Sequence, residues 1–380
     1  MSRKKIARIV FIIVIFIAIV DVFWLGTNYE NFTSERDYIK NIRAIDENTP
    51  YLEKTQDLNV STQDINELSL INPYGSVDIQ GTSGDKVEVE AEIIVYGETE
   101  EDIEGLIDQI NIEKKVAGDE LTLGLEYEKI PEKVWGVKIQ CTVKAPERLA
   151  LTVQSGKNLR VENFVGPVKL NHSGLGFAMV GSSEERYRKY FEKSYVRNIE
   201  KDLELSNIHA SLEVENIGGD VDATVNHGML DIEKVKGNLT LTSQHSDIEL
   251  NSIDGNVVTY NSFDDIIVSQ VKGDLSSKLE HTPLEANVDG KLKIQGQFSD
   301  VKVRDIDNDL EANLEHGDIR IYSELNHKLE VSAKHGSIKA DDLGLKVEKD
   351  DNNMLELMGT VGEGEYNLEV EMEFGNVIFK

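Results

Sequence analysis

Residues 239–256 read LTLTSQHSDIELNSIDGN, and residues 257–274 read VVTYNSFDDIIVSQVKGD. In both stretches apolar and polar residues alternate, a single ring residue follows, the alternation resumes, and a glycine stands near the end. Alternation at every second residue is the period of a β-strand, and a unit that returns at a fixed interval is typical of stacked repeats. The two units therefore predict a fold in which one coil of chain lies on the next.

The ring residue marks a repeat that runs through much of the chain. The markers are His209, His227, His245, Phe263, His281, Phe298, His316 and His335. By subtraction, their spacings are 18, 18, 18, 18, 17, 18 and 19 residues. One coil buries too little apolar surface to be stable alone, so neighbouring coils must share a core. We predict an all-β fold, a single-stranded β-solenoid (β-helix) of ~18-residue coils with short helical insertions.

Glycines close successive coils of the repeat. They are Gly219, Gly237, Gly255, Gly273 and Gly290. Glycine suits a tight corner with a positive φ angle, so we expect these residues at such corners.

The N-terminal stretch Ile6–Leu25 is long and apolar enough to cross the ~30 Å hydrocarbon core of a membrane as a helix. Arg3, Lys4 and Lys5 precede it, which places the N-terminus in the cytoplasm and the bulk of the chain outside. A cleaved signal peptide is the alternative, but bulky residues stand where a small-residue cleavage site would be needed. We expect an uncleaved transmembrane anchor in a single-pass cell-membrane protein.

Changes in composition and in the hydrophobic period along the chain predict four segments. They are a transmembrane anchor (1–26), a juxtamembrane stalk (27–67), the β-solenoid (68–346) and C-terminal coils or a cap (347–380). Helical insertions are expected near 99–112 and 182–202. In the first, Thr99 and Asp102 have the spacing of a capping box, and apolar residues follow at helical intervals.

Composition excludes several classes of function. The net charge of −30 on 380 residues argues against a nucleic-acid partner, because phosphates would be repelled. The lone cysteine, Cys141, excludes an internal disulfide framework and a cysteine-based zinc site. It lies in an apolar strand, Val137–Val143, and is expected to be a small core residue.

The eight ring markers form the most prominent candidate constellation. Two slots hold Phe263 and Phe298, which bind neither metal nor protons, so we predict a structural column packed inside the fold. Neighbouring rings would lie ~4.8 Å apart, too close for several charged imidazoliums. We therefore expect neutral histidines whose pKa is lowered by folding, and stability that drops as pH falls below about 6.5.

We expect no catalytic, cofactor or metal site. Asp305, Asp307 and Asp309 alternate as in a calcium loop, but the sixth position is not glycine and the twelfth, His316, is not glutamate. His172 and the two residues after it are too short to define a nucleophile motif. The carboxylates expected to point outward are Asp264, Asp265, Asp305 and Asp307. They leave a polysaccharide-acting enzyme open as the alternative.

The second insertion is the most basic part of the chain beyond the predicted anchor. Its aromatic residues are Tyr187, Tyr190, Phe191 and Tyr195, and basic residues among them are Arg186, Arg188 and Lys189. Two interpretations stay open. The insertion is a helix packed on the flank of the solenoid, or it contacts a partner protein, a polyanionic wall polymer or the membrane surface.

From Leu68 to Lys380 the chain resembles the putative-adhesin, β-strand-repeat domains of unknown function that are common on Gram-positive bacterial surfaces. The stretches that carry the resemblance are Val77–Ile79, Thr99–Glu113, Gly118–Tyr127, Ala145–Pro146, Leu151–Val168, Leu314–Ile321 and the segment GTVGEGEYNLEVE from Gly359. The resemblance implies a β-solenoid with a cell-envelope role, and membrane-anchored relatives occur beside envelope-stress regulators. It supplies no catalytic residues, and the family usually has Ser-Gly or Thr-Gly-Ser-Gly where this chain has His-Gly.

These observations favour a membrane-anchored, extracytoplasmic module at the bacterial cell envelope. We expect it to be adhesin-like and non-catalytic, and to act in binding or as a scaffold. A role in envelope stress is one option. The expected partner is an envelope protein or a wall polymer. The alternatives are a polysaccharide-acting β-helix enzyme, or a solenoid that self-assembles end to end through uncapped strand edges.

Overall fold

The computed structural model describes residues 49–73, 75–125, 131–173, 194–349 and 354–380. Over these residues the chain is nearly all β, with one α-helix, α1 (Glu100–Ile107), and one 3₁₀ helix (Asp341–Leu343). No helix in this part of the chain is long and apolar enough to cross a membrane. The predicted anchor, Ile6–Leu25, lies outside the described residues.

The strands are numbered in chain order. The first fifteen are β1 (Tyr51–Ser61), β2 (Glu67–Asn72), β3 (Ser76–Thr82), β4 (Lys86–Gly97), β5 (Glu113–Ala117), β6 (Glu120–Gly124), β7 (Val134–Pro146), β8 (Ala150–Ser155), β9 (Leu159–Phe164), β10 (Val168–Ser173), β11 (Ser194–Ile199), β12 (Leu203–Ile208), β13 (Ser211–Ile217), β14 (Val221–Asn226) and β15 (Met229–Val235). The others are β16 (Leu239–Gln244), β17 (Asp247–Ile253), β18 (Val257–Ser262), β19 (Asp265–Val271), β20 (Leu275–Glu280), β21 (Leu284–Val288), β22 (Leu292–Gln297), β23 (Val301–Arg304), β24 (Leu310–His316), β25 (Ile319–Tyr322), β26 (His327–Lys339), β27 (Glu348–Lys349), β28 (Leu355–Thr360) and β29 (Tyr366–Phe379).

The chain divides into two compact units. The described residues of the smaller unit are 49–54, 93–110 and 131–138. It contains α1, which lies within the stretch predicted to be helical. The Oγ1 atom of Thr99 accepts a 3.3 Å hydrogen bond from the backbone N–H of Asp102, which caps the first turn. Ile103 and Leu106 are buried on one face of the helix, as their spacing predicts.

The described residues of the larger unit are 55–73, 75–92, 111–125, 139–173, 194–349 and 354–380. Its strands form two parallel ladders. The first ladder runs through β6, β2, β8, β10, β12, β14, β16, β18, β20, β22 and β24, and the second through β7, β3, β9, β11, β13, β15, β17, β19, β21, β23 and β25. One strand from each ladder makes a layer. In the first ladder Val221 lies beside Leu239, and in the second Leu230 lies beside Ile248, so each partner is 18 residues further along.

Alternation places every second residue of a layer in the core. In the layer that begins at Leu239, the inward residues of the second strand are Ile248, Leu250 and Ile253. Leu250 and Ile253 are three positions apart, because Ser252 between them has a φ of 59°. This left-handed residue bends the strand and returns the next side chain to the core. The shift in apolar phase seen in the sequence is therefore a backbone bend.

The glycines between layers are needed for close approach. A Cβ built on Gly255 would lie 2.3 Å from the carbonyl oxygen of Gly237 in the preceding layer, and one on Gly290 would lie 2.2 Å from that of Gly273. The φ angles of these glycines are not positive, so the expectation of left-handed glycine corners is wrong. Here the lack of a side chain, and not conformational freedom, is what the fold requires.

The C-terminal strand β29 lies between β24 and β26, which are nearer to each other in sequence than either is to β29. Its residue Leu368 lies beside Leu310 of β24 on one side and Leu329 of β26 on the other. Strand β28 then pairs antiparallel with β26. The region after residue 346 therefore supplies an internal layer as well as a terminal strand.

Two predicted boundaries differ from the structure. Strand β1 begins at Tyr51, inside the segment predicted to be a stalk. The sequence analysis missed this strand because polar and charged residues fill most of its positions, and Val60 is its one buried residue. The second predicted helical insertion, 182–202, contains strand β11 from Ser194 to Ile199. The part of this insertion before Ser194 lies outside the described residues.

Candidate interaction surface

Among the residues that the structure describes, nine rings stack in one column, which we call the ring ladder. Its members, in spatial order, are His209, His227, His245, Phe263, His281, Phe298, His316, Phe374 and His335. Neighbouring ring centroids are between 4.5 and 5.1 Å apart, and ring planes differ by 4° to 21°. Phe374, which the sequence analysis missed, separates His316 from His335 because β29 is inserted there.

The ring ladder lies at the corner between the two strands of each layer. From His209 to Phe298 every ring residue has a φ between 50° and 58°. This left-handed conformation turns the side chain away from the core. Phe298 is 52% exposed and Phe263 is 48% exposed, so the prediction of a column packed inside the fold is wrong. The rings stack on the outside of the larger unit.

Stacking determines which part of each ring can meet a partner. Because the faces cover one another, the ladder presents ring edges to solvent along its length. An imidazole edge can donate or accept a hydrogen bond, whereas a phenyl edge is nonpolar. Tyr260 and Ile267, in the same layer as Phe263, are also more than 40% exposed. The ladder therefore presents polar imidazole edges with nonpolar phenyl edges between them, and Tyr260 and Ile267 add exposed apolar surface to the layer of Phe263.

The imidazoles at the start of the ladder are biased toward the neutral form. Partial burial lowers the pKa of His209, and the neighbouring His227 lowers it further. Burial likewise lowers the pKa of His227, with a smaller effect from His245. Adjacent stacked rings resist simultaneous protonation because like charges would lie about 5 Å apart.

Carboxylates flank the ring ladder on both sides. The exposed ones are Glu280 before a ring and Asp247, Asp265 and Asp300 after one. Asp247 and Asp265 lie side by side in adjacent layers, whereas Glu280 and Asp300 stand in other layers. The surface that a partner would meet is therefore a column of imidazole and phenyl edges with exposed carboxylates beside it.

Asp264 lies beneath the ladder and points inward, so the prediction that it faces outward is wrong. It is 4% exposed. Its carboxylate accepts a hydrogen bond of 2.5 Å from the hydroxyl of Ser243, and bonds of 2.7 and 3.1 Å from the backbone N–H groups of Ser246 and Ser262. Burial raises the pKa of Asp264, and these donors oppose the rise. The carboxylate links two adjacent layers at the corner, while Asp265 remains exposed.

His172 and Ser194 form a second buried polar pair. The Nε2 atom of His172 lies 3.0 Å from the Oγ of Ser194, which accepts a 3.0 Å hydrogen bond from the backbone N–H of Leu159. Because the Oγ of Ser194 already accepts the hydrogen bond from Leu159, its hydroxyl hydrogen can be donated to the Nε2 of His172. Burial lowers the pKa of His172 to about 4. The pair is inaccessible to a substrate and serves packing.

The predicted partner-contact residues fall largely outside the described residues. Those outside are Tyr187, Tyr190, Phe191, Arg186, Arg188 and Lys189. Tyr195 is in strand β11 and not in a helix. The guanidinium carbon of Arg197 lies 4.6 Å from the centre of its ring, and that of Arg160 lies 5.7 Å away. Tyr195 is thus part of a cation–π contact on the second ladder.

The described residues hold no group of three or more His, Cys, Asp or Glu side chains that could bind a metal ion. Cys141 is fully buried in β7, and burial raises the pKa of its thiol to about 12. This agrees with the prediction of a core residue. Asp305 has a φ of 51° and accepts a 3.1 Å hydrogen bond from Asn287, so it belongs to the layered backbone.

Solved structures with some likeness to this chain carry adhesin and binding names. A putative cell adhesion protein from Clostridium sporogenes is 11% identical over 87% of this chain and 99% of that chain, with a TM-score of 0.18. A putative adhesin from Parabacteroides distasonis is 13% identical over 86% and 97%, with a TM-score of 0.28. A putative lipid binding protein from the same organism is 12% identical over 86% and 96%, with a TM-score of 0.26. No protein-family model and no curated protein matches the chain. TM-scores this low carry no argument about this chain.

Proposed function

We propose that this chain is a non-catalytic binding module, a β-solenoid whose ring ladder contacts a partner protein at the bacterial cell envelope. The observation that carries the proposal is the exposure of Phe263 and Phe298 in an ordered column, where a polar residue would fit as well. Tyr260, Phe263 and Ile267 also expose apolar surface within one layer, and apolar surface gathered in one place marks interaction sites.

The exposed carboxylates beside the ladder indicate the kind of partner. A protein that offers apolar side chains flanked by lysine or arginine would match both the phenyl edges and these carboxylates. Anchoring through Ile6–Leu25, an extracytoplasmic address, a role in envelope stress and a contact made by the basic insertion belong to the same proposal.

A double substitution separates binding from folding. Histidine occupies the same slot in other layers, so Phe263→His with Phe298→His keeps the stack and removes the nonpolar edges. We expect the melting temperature to change little. A photo-crosslinker at residue 280, between the two rings, should capture one partner protein from intact cells in the parent chain, and about tenfold less of it in the double variant. A crosslinker at the exposed Lys201 is the matched control, because that residue is distant in sequence from both phenylalanines.

The outcomes discriminate between the candidate functions. Unchanged crosslinking in the double variant would remove the ring ladder as the contact surface. New reducing or unsaturated ends, released when the full-length protein is incubated with wall glycans, would favour the polysaccharide-acting enzyme. Crosslinks to other copies of this chain alone would favour self-assembly.

A further inference from the structure

The outward side of the second ladder carries opposite charges at its two ends. We call this surface the charged face, and it consists of the outward side chains of β13, β15, β17, β19, β21, β23, β25 and residues 377–380, all within the larger unit. Outward residues of neighbouring layers lie side by side, as Glu249 does with Asp231 on one side and Ile267 on the other. With layers ~4.8 Å apart, the charged face is roughly 34 Å long.

An acidic patch occupies the layers of β13, β15 and β17 on the charged face. Its carboxylates are Glu213, Glu215, Asp231, Glu233 and Glu249. Arg197 and Lys234 form ion pairs with Glu213, Glu215 and Glu233. Glu249 is exposed and forms no ion pair with any residue that the structure describes. The negative charge of the patch is therefore only partly neutralised within the chain.

A basic patch occupies the layers of β23, β25 and residues 377–380 on the same face. Its cations are Lys302, Arg304, Arg320 and Lys380. The charged groups of Lys302, Arg304 and Lys380 lie 5.3 to 5.8 Å from the ring centre of Tyr322. Glu285 contacts Lys302 and Arg304 together, and Asp300 and Asp318 contact Arg320. Because Glu285 serves two cations and Lys380 has no ion pair with a described residue, the patch keeps exposed positive charge.

The two patches are placed symmetrically about the space between β19 and β21. Three acidic layers precede these two central layers, and three basic layers follow them. A half-turn about an axis that lies in the face, along the strand direction and between β19 and β21, reverses the order of layers and keeps each position along a strand. It therefore superimposes the acidic patch on the basic patch.

From this arrangement we propose that the charged face binds a second copy of this chain, with the acidic patch of each copy on the basic patch of the other. The half-turn places Glu249 opposite Lys302 and Asp231 opposite Arg320, and it covers the exposed Ile267 in the central layers. A width of about 15 Å gives about 500 Å² per copy, less than the ~800 Å² of a stable interface. We therefore expect a weak dimer that salt dissociates. The ring ladder takes no part, so failure of this proposal would leave the proposed protein partner untouched.

Charge reversal on each patch tests the dimer, with the full-length protein in nonionic detergent and association measured by sedimentation equilibrium. One variant carries Asp231→Lys with Glu249→Lys, and the other carries Lys302→Glu with Arg320→Glu. We expect each variant alone to dimerise about tenfold or more weakly than the parent, because like charges then face each other. An equal mixture of the two variants restores opposite charges across the contact, so we expect it to associate within about threefold of the parent. Raising the salt concentration from about 0.05 M to about 0.5 M should weaken the parent dimer about tenfold.

The mixture separates a lost contact from a lost fold, because one misfolded variant could not restore association to another. Asp222→Lys with Glu369→Lys is the matched control, since it makes the same change in net charge on the outward side of the first ladder. We expect this control to dimerise like the parent. A parent that stays monomeric at low salt, a mixture that associates no better than either variant alone, or a control weakened as much as the acidic-patch variant would overturn the proposal.

Discussion

We expect the protein to be less stable in acid, chiefly because of the buried side chain of His172. It is 2% exposed, and its pKa falls to about 4 because burial disfavours the charged ring. In the unfolded chain an ordinary histidine has a pKa near 6.5. Below that value the unfolded state binds a proton that the folded state does not accept, so the free energy of unfolding decreases as pH falls through the window from 6.5 to about 4.

The magnitude follows from the two pKa values. At pH 7.5 both states carry a neutral ring, and the contribution is close to zero. At pH 5 the unfolded ring is almost fully protonated, whereas the folded ring is not, which lowers the free energy of unfolding by about 2 kcal/mol. His209 and His227, whose pKa values are also lowered, act in the same direction.

His172→Asn isolates this contribution, because asparagine occupies the equivalent inward position at Asn207 in the adjacent layer. Urea unfolding of both proteins at pH 7.5 and pH 5 gives four free energies. The variant loses the hydrogen bond to Ser194 at both pH values, so the quantity of interest is the difference in pH dependence. We expect the parent to lose about 2 kcal/mol more than the variant between these pH values. Identical pH dependence in the two proteins would refute the reasoning.

Three further substitutions test the packing by thermal and urea unfolding. Gly255→Ala places a methyl group 2.3 Å from the carbonyl oxygen of Gly237 and should lower the free energy of unfolding by about 1–3 kcal/mol. Gly105→Ala is the control, because nothing lies within 4 Å of the added methyl group, and it should be neutral or stabilising. Equal effects of the two substitutions would contradict the close approach of layers. Phe298→Val removes two ring contacts and puts a β-branched residue at a φ of 53°, so we expect it to lower the free energy of unfolding by about 2–4 kcal/mol. Phe298→His keeps a ring in the stack and should change the free energy of unfolding by less than about 1 kcal/mol. The reverse order of the two effects would argue against stacking. Asp264→Ala leaves the buried backbone N–H of Ser246 and the part-buried N–H of Ser262 without their acceptor and should destabilise by about 1–3 kcal/mol; a neutral result would contradict a structural role for the carboxylate.

The periodic part of the fold was predictable because its causes are local. Alternation of apolar residues in a layer such as Leu239–Ile253 dictates which side chains are buried, and the constant interval dictates which residues pair. Thr99 and Asp102 likewise gave the start of helix α1 from a contact made within one turn. Signals of this kind require no knowledge of distant parts of the chain.

The position of the rings was not predictable in the same way. A positive φ is expected of glycine, yet here Phe263 and His245 adopt it while Gly255 does not. Whether a ring lies in the core or on the surface therefore depends on its backbone φ angle, which the residue type does not predict. Phe374 was missed because it lies 58 residues after His316 (374 minus 316), and a strand that returns after such an interval leaves no period to read.

Pairwise cysteine substitution tests the layered arrangement most directly. Residues in adjacent layers have Cα atoms ~4.8 Å apart, within the range that a disulfide can bridge, whereas residues two layers apart are separated by roughly twice that distance. The account predicts intramolecular disulfides on mild oxidation for His245→Cys with Phe263→Cys and for His316→Cys with Phe374→Cys. It predicts none for His316→Cys with His335→Cys. A disulfide in the third pair together with none in the second would contradict the order of layers, and the absence of all three would contradict the ring ladder itself.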